Sequence, residues 1–120
     1  GTLRVELVSR LAPLVQDIVV AGHDRAEIGL LVFASAAGLQ QPQALQAALR
    51  RLMQEQAAAG AGSARSPRRA LVLGTPPALE AGEITDKGYI NQRAVLQRRS
   101  AEVERLYAAA ASTGAVVLAD

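Results

Sequence analysis

The 120-residue sequence contains no cysteine, which excludes a disulfide framework, a thiolate nucleophile and thiolate metal ligands, and leaves the redox compartment unmarked. Tryptophan is missing too, and Phe33, Tyr89 and Tyr107 are the only aromatic residues, too few to build a stacking platform for single-stranded nucleic acid. Neither sign of charge dominates, since 13 basic and 11 acidic residues leave a net charge of +2. The pI of about 9.7 mostly reflects arginine outnumbering its titratable partners, and so small an excess is a poor electrostatic footprint for nucleic acid. Apolar stretches are broken by polar residues well before the ~20 needed to cross a bilayer, and no basic, apolar, small-residue leader opens the chain. The expectation is a soluble protein with no nucleic-acid or membrane partner, for which a cytoplasmic location fits.

Half of the residues are apolar, enough for one modest core and one domain. Leu3, Leu7, Leu11 and Leu14 recur at helical spacing, with Pro13 limiting the run. Asp17–Ala21 and Gly29–Ala34 are β-rich and flank a polar stretch, which predicts an antiparallel hairpin. After a small-residue loop around Ala36 to Gly38, Pro42 suits a first helical turn, and Leu45, Leu49, Leu52 and Met53 mark the apolar face of a helix ending near Ala58. Gly60 to Arg69 is rich in Gly, Ala, Ser and Arg, lacks the apolar area to order itself, and is expected to be a mobile loop. Arg69–Leu73 reads as a third strand stopped by Gly74 and the Pro76-Pro77 pair. Ala94 to Ala110 predicts one long helix capped by Asn91, and Ala115–Leu118 a final short strand. The fold class is α+β, a small antiparallel or mixed sheet of at least three strands packed with helices.

Chemistry concentrates between the third strand and the last helix, in Glu83-Ile84-Thr85-Asp86-Lys87-Gly88-Tyr89-Ile90-Asn91-Gln92-Arg93. Lys87 is the only lysine among the 13 basic residues. A lysine where arginine is the rule suggests a need for a compact ammonium on a flexible stem; the plainer reading is a solvated surface side chain.

These residues resemble the adenylate-forming acyl-CoA ligases, whose final domain carries a loop with Thr, Gly and a catalytic Lys ahead of a helix. The resemblance spans essentially the whole chain and is closest to the feruloyl-CoA synthase branch, through Val19-Val20-Ala21-Gly22-His23-Asp24-Arg25, Glu27-Ile28-Gly29, and Gly82 to Arg93. It implies a C-terminal lid domain, with Lys87 as the catalytic ammonium and Glu83, Thr85, Asp86, Gly88 and Tyr89 as the loop that supports it. The wider family's loop runs Thr, two residues, Gly, Lys; laid over Thr85 and Gly88, that pattern puts Tyr89 at the lysine position and displaces Lys87 by two. Tyrosine carries no permanent positive charge near neutral pH, so Lys87 in a shifted loop is the preferred assignment, with Tyr89 as the alternative occupant. The resemblance further implies ATP and CoA as substrates, Mg2+ in the full-length enzyme, a small carboxylic acid such as ferulate, and an N-terminal adenylation domain of the same chain as partner. On that reading the isolated fragment is inactive and binds no cofactor of its own. Gly1 resembles the region just after the family's hinge and becomes a candidate CoA contact, or equally a plain loop glycine.

Other polar residues have weaker claims. His23 beside Asp24 could shuttle protons, but a single histidine without converging ligands makes no metal site, and a turn between strands is an ordinary place for both. Arg65, Arg68 and Arg69 beside Ser63 and Ser66 could meet CoA phosphates or simply be solvated. Glu80 and Glu83 lie close in sequence without evidence of the opposed environments that acid/base chemistry needs, and Glu83 is assigned to shaping the lysine loop. The competing function class is a stand-alone α+β ligand-binding or regulatory module that dimerises through an exposed sheet face.

Overall fold

The computed structural model describes residues 2–108 and 114–118. Elements follow in the order α1 (Thr2–Leu11), β1 (Val15–Ala21), β2 (Gly29–Ala34), α2 (Ala36–Gln40), α3 (Pro42–Ala58), a 3-10 turn (Ser63–Arg65), β3 (Arg69–Leu73), α4 (Gln92–Arg98), α5 (Ser100–Tyr107) and β4 (Val116–Val117). The strands form one sheet in the order β1-β2-β3-β4. Val20 pairs with Leu30 in the antiparallel β1–β2 hairpin, Leu31 with Leu71 in the parallel β2–β3 pair, and Ala70 with Val116 in the antiparallel β3–β4 pair. A parallel pair needs a crossover, which α2, α3 and the 3-10 turn supply.

Strand β2 is buried along its whole length, because helices cover both faces of the sheet. Side chains alternate across a strand, so Leu30, Val32 and Ala34 join Ile18 and Ala70 in a core with Leu7 and Leu11 of α1 and Leu45, Leu49 and Met53 of α3. Leu31 and Phe33 face the other way, into a second core with Val19, Leu71, Leu73, Val95 of α4 and Leu106 of α5. This arrangement bears out the α+β assignment and the mixed sheet. It contradicts the competing expectation of a sheet face left open for dimerisation.

Three further expectations are corrected. The stretch read as a mobile loop is tethered by polar groups rather than apolar area. Gln56, buried on α3, accepts from Arg10 Nη1 at 2.9 Å and donates to Arg65 O at 2.8 Å, and Arg68 N donates to Ile28 O at 3.1 Å. The small-residue loop around Ala36 is a short helix, its first turn capped by Ser35, whose hydroxyl oxygen accepts from Gly38 N at 3.1 Å. The long terminal helix is interrupted at Arg99, and the part assigned to Ala109 and Ala110 lies outside the described residues. The N-cap role of Asn91 holds, with Ala94 N donating to its side chain at 3.2 Å.

The β1–β2 turn is locked to α5 by Tyr107, whose hydroxyl donates to Glu27 O at 2.9 Å while Arg25 lies over its ring at 4.2 Å from the centroid. Gly22 closes that turn with φ of +96°, and a Cβ there would stand 2.0 Å from the Tyr107 hydroxyl. Gly22→Ala therefore combines backbone strain with a collision, and is expected to destabilise the fold by about 1–3 kcal/mol. Urea unfolding followed by far-UV circular dichroism measures it; an unchanged midpoint would show that the turn relaxes freely.

Candidate functional site

The segment from β3 to α4 folds back on itself as a short hairpin. Ile84 and Ile90 form an antiparallel bridge, flanked by Asn91 N donating to Glu83 O at 2.8 Å and Thr85 N donating to Tyr89 O at 2.7 Å. Gly88 N closes the turn on Thr85 O at 2.9 Å, and the Thr85 hydroxyl accepts from Tyr89 N at 3.1 Å. Gly88 has φ of +86°, the left-handed geometry that a three-residue hairpin loop takes at its bulge and that glycine adopts without steric cost. Thr85-Asp86-Lys87-Gly88 is thus a built turn, and the threonine and glycine of the segment are its structural requirements.

Lys87 sits at the apex of this turn, exposed, with Asp86 and Tyr89 also exposed beside it. Its ammonium, with three donors, has no hydrogen-bond or ion-pair partner among the described residues. Tyr89 is 67% exposed and follows the bulge. The two candidates for the charged position therefore flank one glycine. Gly1 lies outside the described residues.

Glu83, at the base of the hairpin, is fully buried. Its carboxylate meets Arg99 through two parallel bonds, Nε to Oε2 at 2.8 Å and Nη2 to Oε1 at 2.9 Å, and also accepts from Ala78 N at 2.9 Å. Arg98 Nη1 approaches Oε2 at 3.2 Å. Arg99 donates further to Thr75 O at 2.9 Å and Pro76 O at 3.0 Å, and its guanidinium lies 4.9 Å from the centroid of the Phe33 ring. The hydrogen bonds from Arg99 dominate the titration of Glu83: against burial, and helped by Ala78 N–H and the arginine charges, they pull its pKa from 4.5 to about 2. The same pairing raises the pKa of Arg99.

The remaining candidates are scattered. His23 is exposed on the β1–β2 turn, where it lines an open groove of about 650 Å3 with Gln92, Arg93, Leu96 and Gln97 of the α4 region; Lys87 does not line that groove. No three His, Asp or Glu side chains converge as metal ligands among the described residues. Arg65 pairs with Glu6 at 3.0 Å and Arg69 with Glu27 at 2.7 Å, and Arg68 Nη2 donates to Leu118 O at 3.1 Å, so the three arginines point to separate partners. Glu80 is exposed while Glu83 is buried. Sequence reasoning missed Arg99. A usable signal was present, because Arg99 is four residues beyond Val95 and seven before Leu106, on the apolar stripe of an amphipathic segment where a cation demands a partner.

A four-stranded mixed sheet between two helical layers is the architecture of the C-terminal domain of the adenylate-forming enzymes. Residues 2–111 match the AMP-binding enzyme C-terminal domain, and the chain belongs to that family. Among solved structures it is similar to the adenylation domain of a carboxylate reductase from Mycobacterium chelonae, at 25% identity and a TM-score of 0.65 over 82% of this chain and 16% of that one. The A-PCP didomain of a carboxylic acid reductase from Segniliparus rugosus in complex with AMP matches at 26% identity and a TM-score of 0.64, over 91% of this chain and 16% of that one. An A domain from the same organism, in complex with AMP and a co-purified carboxylic acid, matches at 26% and 0.61, over 80% and 16%. The chain thus spans 16% of the length of each of these relatives. No curated protein matches it. No helix among the described residues is long and apolar enough to cross a membrane.

The depressed pKa gives the ion pair a pH signature. A carboxyl held below its unfolded value adds stability that is fully present above the ordinary pKa of 4.5 and is lost as pH falls through its folded value of about 2. Glu83→Gln is expected to cost roughly 3–5 kcal/mol at neutral pH, because it leaves the buried Arg99 guanidinium without its counter-charge. Its penalty should shrink as the pH falls from 4.5 towards 2. Urea titrations at a series of pH values check this, and a penalty constant across that window would disconnect Glu83 from acid unfolding.

Proposed function

We propose that this chain is the C-terminal lid of an ATP-dependent, AMP-forming acid:CoA ligase, and that Lys87 is its catalytic ammonium. The observation that carries the reading is the unpartnered Lys87 at the apex of a hairpin whose base is clamped by a buried ion pair. A lysine kept free of intramolecular carboxylates on a fixed support is arranged to meet an anion supplied from outside the domain. Tyr89, two residues on, offers a neutral hydroxyl near pH 7 and serves as support for the turn, as do Thr85, Asp86 and Gly88.

In the first half-reaction a carboxylate oxygen of the acid attacks the α-phosphorus of ATP, the bond from that phosphorus to the bridging oxygen breaks, and pyrophosphate leaves. Negative charge spreads over the carboxylate and phosphate oxygens in the transition state. An ammonium brought into a closed, water-poor cleft stabilises that charge without reorganising solvent. In the second half-reaction the thiol sulfur of CoA attacks the acyl carbonyl, the carbon–oxygen bond to AMP breaks, and the thioester forms. The lid rotates between the two steps, withdrawing Lys87 and bringing the region of Gly1 to the pantetheine arm. The remainder of the ATP and acid site belongs to an N-terminal adenylation domain preceding these residues. Magnesium would enter with the nucleotide in the full-length enzyme; the described residues offer no converging ligands to hold it, and Lys87 is the cation this domain brings.

Ferulate or a related hydroxycinnamate is the acid favoured by the likeness of Val19 to Arg25 and of Gly82 to Arg93 to the feruloyl-CoA synthase branch. A second reading takes its support from the solved relatives, which are carboxylate reductase adenylation domains, one of them joined to a PCP. On that reading the same adenylate passes to a carrier-borne thiol instead of free CoA.

Ferulate-driven ATP/pyrophosphate exchange in the complete enzyme tests the assignment. Lys87→Ala is expected to lower exchange by about 100- to 1,000-fold, as loss of one such donor does elsewhere, while Tyr89→Phe stays near the wild-type rate. Normal exchange by Lys87→Ala would remove Lys87 from the chemistry. Release of feruloyl-CoA on adding free CoA, or its failure while exchange proceeds, separates the ligase from the carrier reading.

A further inference from the structure

We propose that Arg99, acting through Glu83, is the positioning residue that sets where Lys87 is presented, so that the lysine hairpin moves only as a rigid part of the whole domain. The inference rests on the reading of Lys87 as the catalytic ammonium.

Arg99 directs its guanidinium at two chain segments together: the Glu83 carboxylate at 2.8 and 2.9 Å, and the Thr75-Pro76 backbone, with Thr75 O at 2.9 Å and Pro76 O at 3.0 Å. Glu83 in turn is fixed by side chain and backbone, since its carboxylate accepts from Ala78 N at 2.9 Å and its carbonyl from Asn91 N at 2.8 Å. A closed circuit results. It runs from Glu83 up one arm of the hairpin to Lys87, down the other arm to Asn91, which caps α4, along α4 to Arg99, and back across the ion pair to Glu83. A hairpin inside such a circuit cannot swing about its base without breaking two charge-assisted bonds in a buried site.

Stability alone is a poor reason to keep this pair. Buried ion pairs are often replaced by apolar residues at no net loss, because desolvation offsets their attraction. What an apolar pair cannot reproduce is the fixed direction of a planar fork. The local backbone is shaped for it: Arg99 sits between α4 and α5 with φ of −106° and ψ of 35°, outside the helical path, and its side chain is 9% exposed. Phe33 of the central strand lies against the guanidinium, so the clamp is registered to the sheet itself.

The test is ATP/pyrophosphate exchange in the complete enzyme, run on Arg99→Lys, on Lys87→Ala, on the two combined, and on the apolar swap Glu83→Leu with Arg99→Met. All are assayed below their own melting midpoints by circular dichroism. Arg99→Lys keeps the charge and loses the fork. It is expected to lower the maximal exchange rate by about 10- to 100-fold, the scale of a misplacement near 1 Å, with KM for ATP and acid unchanged within about twofold. Added to Lys87→Ala, it should cost nothing further, since it acts through the lysine. The apolar swap should fold and be slow, and it decides the matter if Arg99→Lys does not fold. A folded swap with wild-type exchange, or a loss by Arg99→Lys that repeats in full on the Lys87→Ala background, would overturn the positioning role and leave Lys87 catalytic. Wild-type exchange by Lys87→Ala would instead sink the functional reading on which it rests.

Discussion

The buried pairing of Glu83 with Arg99 ties the base of the lysine hairpin to the rest of the domain. It joins the exit of β3, the base of the lysine hairpin and the junction of α4 with α5, and it lies against Phe33 of the central strand. Two ions taken out of water cost several kcal/mol each. The structure offsets that cost by satisfying the carboxylate with Ala78 N–H and the guanidinium with two backbone carbonyls, and no buried side-chain polar atom among the described residues is left unpaired. The hydrogen bonds from Arg99, helped by Ala78 N–H, outweigh burial and hold the Glu83 pKa well below its ordinary value.

The layering explains where the lysine hairpin sits. Helices occupy both faces of the sheet, with α1 and α3 on one side and α4 and α5 on the other. Backbone irregular enough to carry a functional group is therefore left to the connections. Among them, the segment between β3 and α4 combines a turn that demands glycine, a free ammonium and a rigid anchor. Loops held by a scaffold are where functional groups generally lie, and the lysine hairpin is held by charge-assisted hydrogen bonds. The connection between α3 and β3 follows the same logic, with Gln56 reaching from α3 to Arg65 O.

Much of the architecture was legible in residue order. The β-rich runs Asp17 to Ala21 and Gly29 to Ala34 marked the strands, helical spacing of Leu45, Leu49, Leu52 and Met53 marked α3, and Asn91 announced the start of α4. The family likeness carried by Gly82 to Arg93 matched the domain family of the whole chain. What was misread shares a cause. The 60–69 stretch was taken for a mobile loop because it lacks apolar side chains, yet its order comes from hydrogen bonds to residues far away in sequence. The α4–α5 stretch was taken for one helix because its propensities are uniform, yet a long-range ion pair sits at the break.

By itself the sequence determined the first three strands, the helical character of α1 and α3, the lack of a cysteine thiol, and the singling out of Lys87, because these follow from local periodicity, composition and the identity of one side chain. Tertiary structure alone decided that β2 and β3 run parallel, that both sheet faces are covered, and that Glu83 at one end of the lysine segment is held by Arg99 beyond its other end. Those facts depend on which surfaces meet in space. A buried charge can choose its partner only once the chain has closed around it.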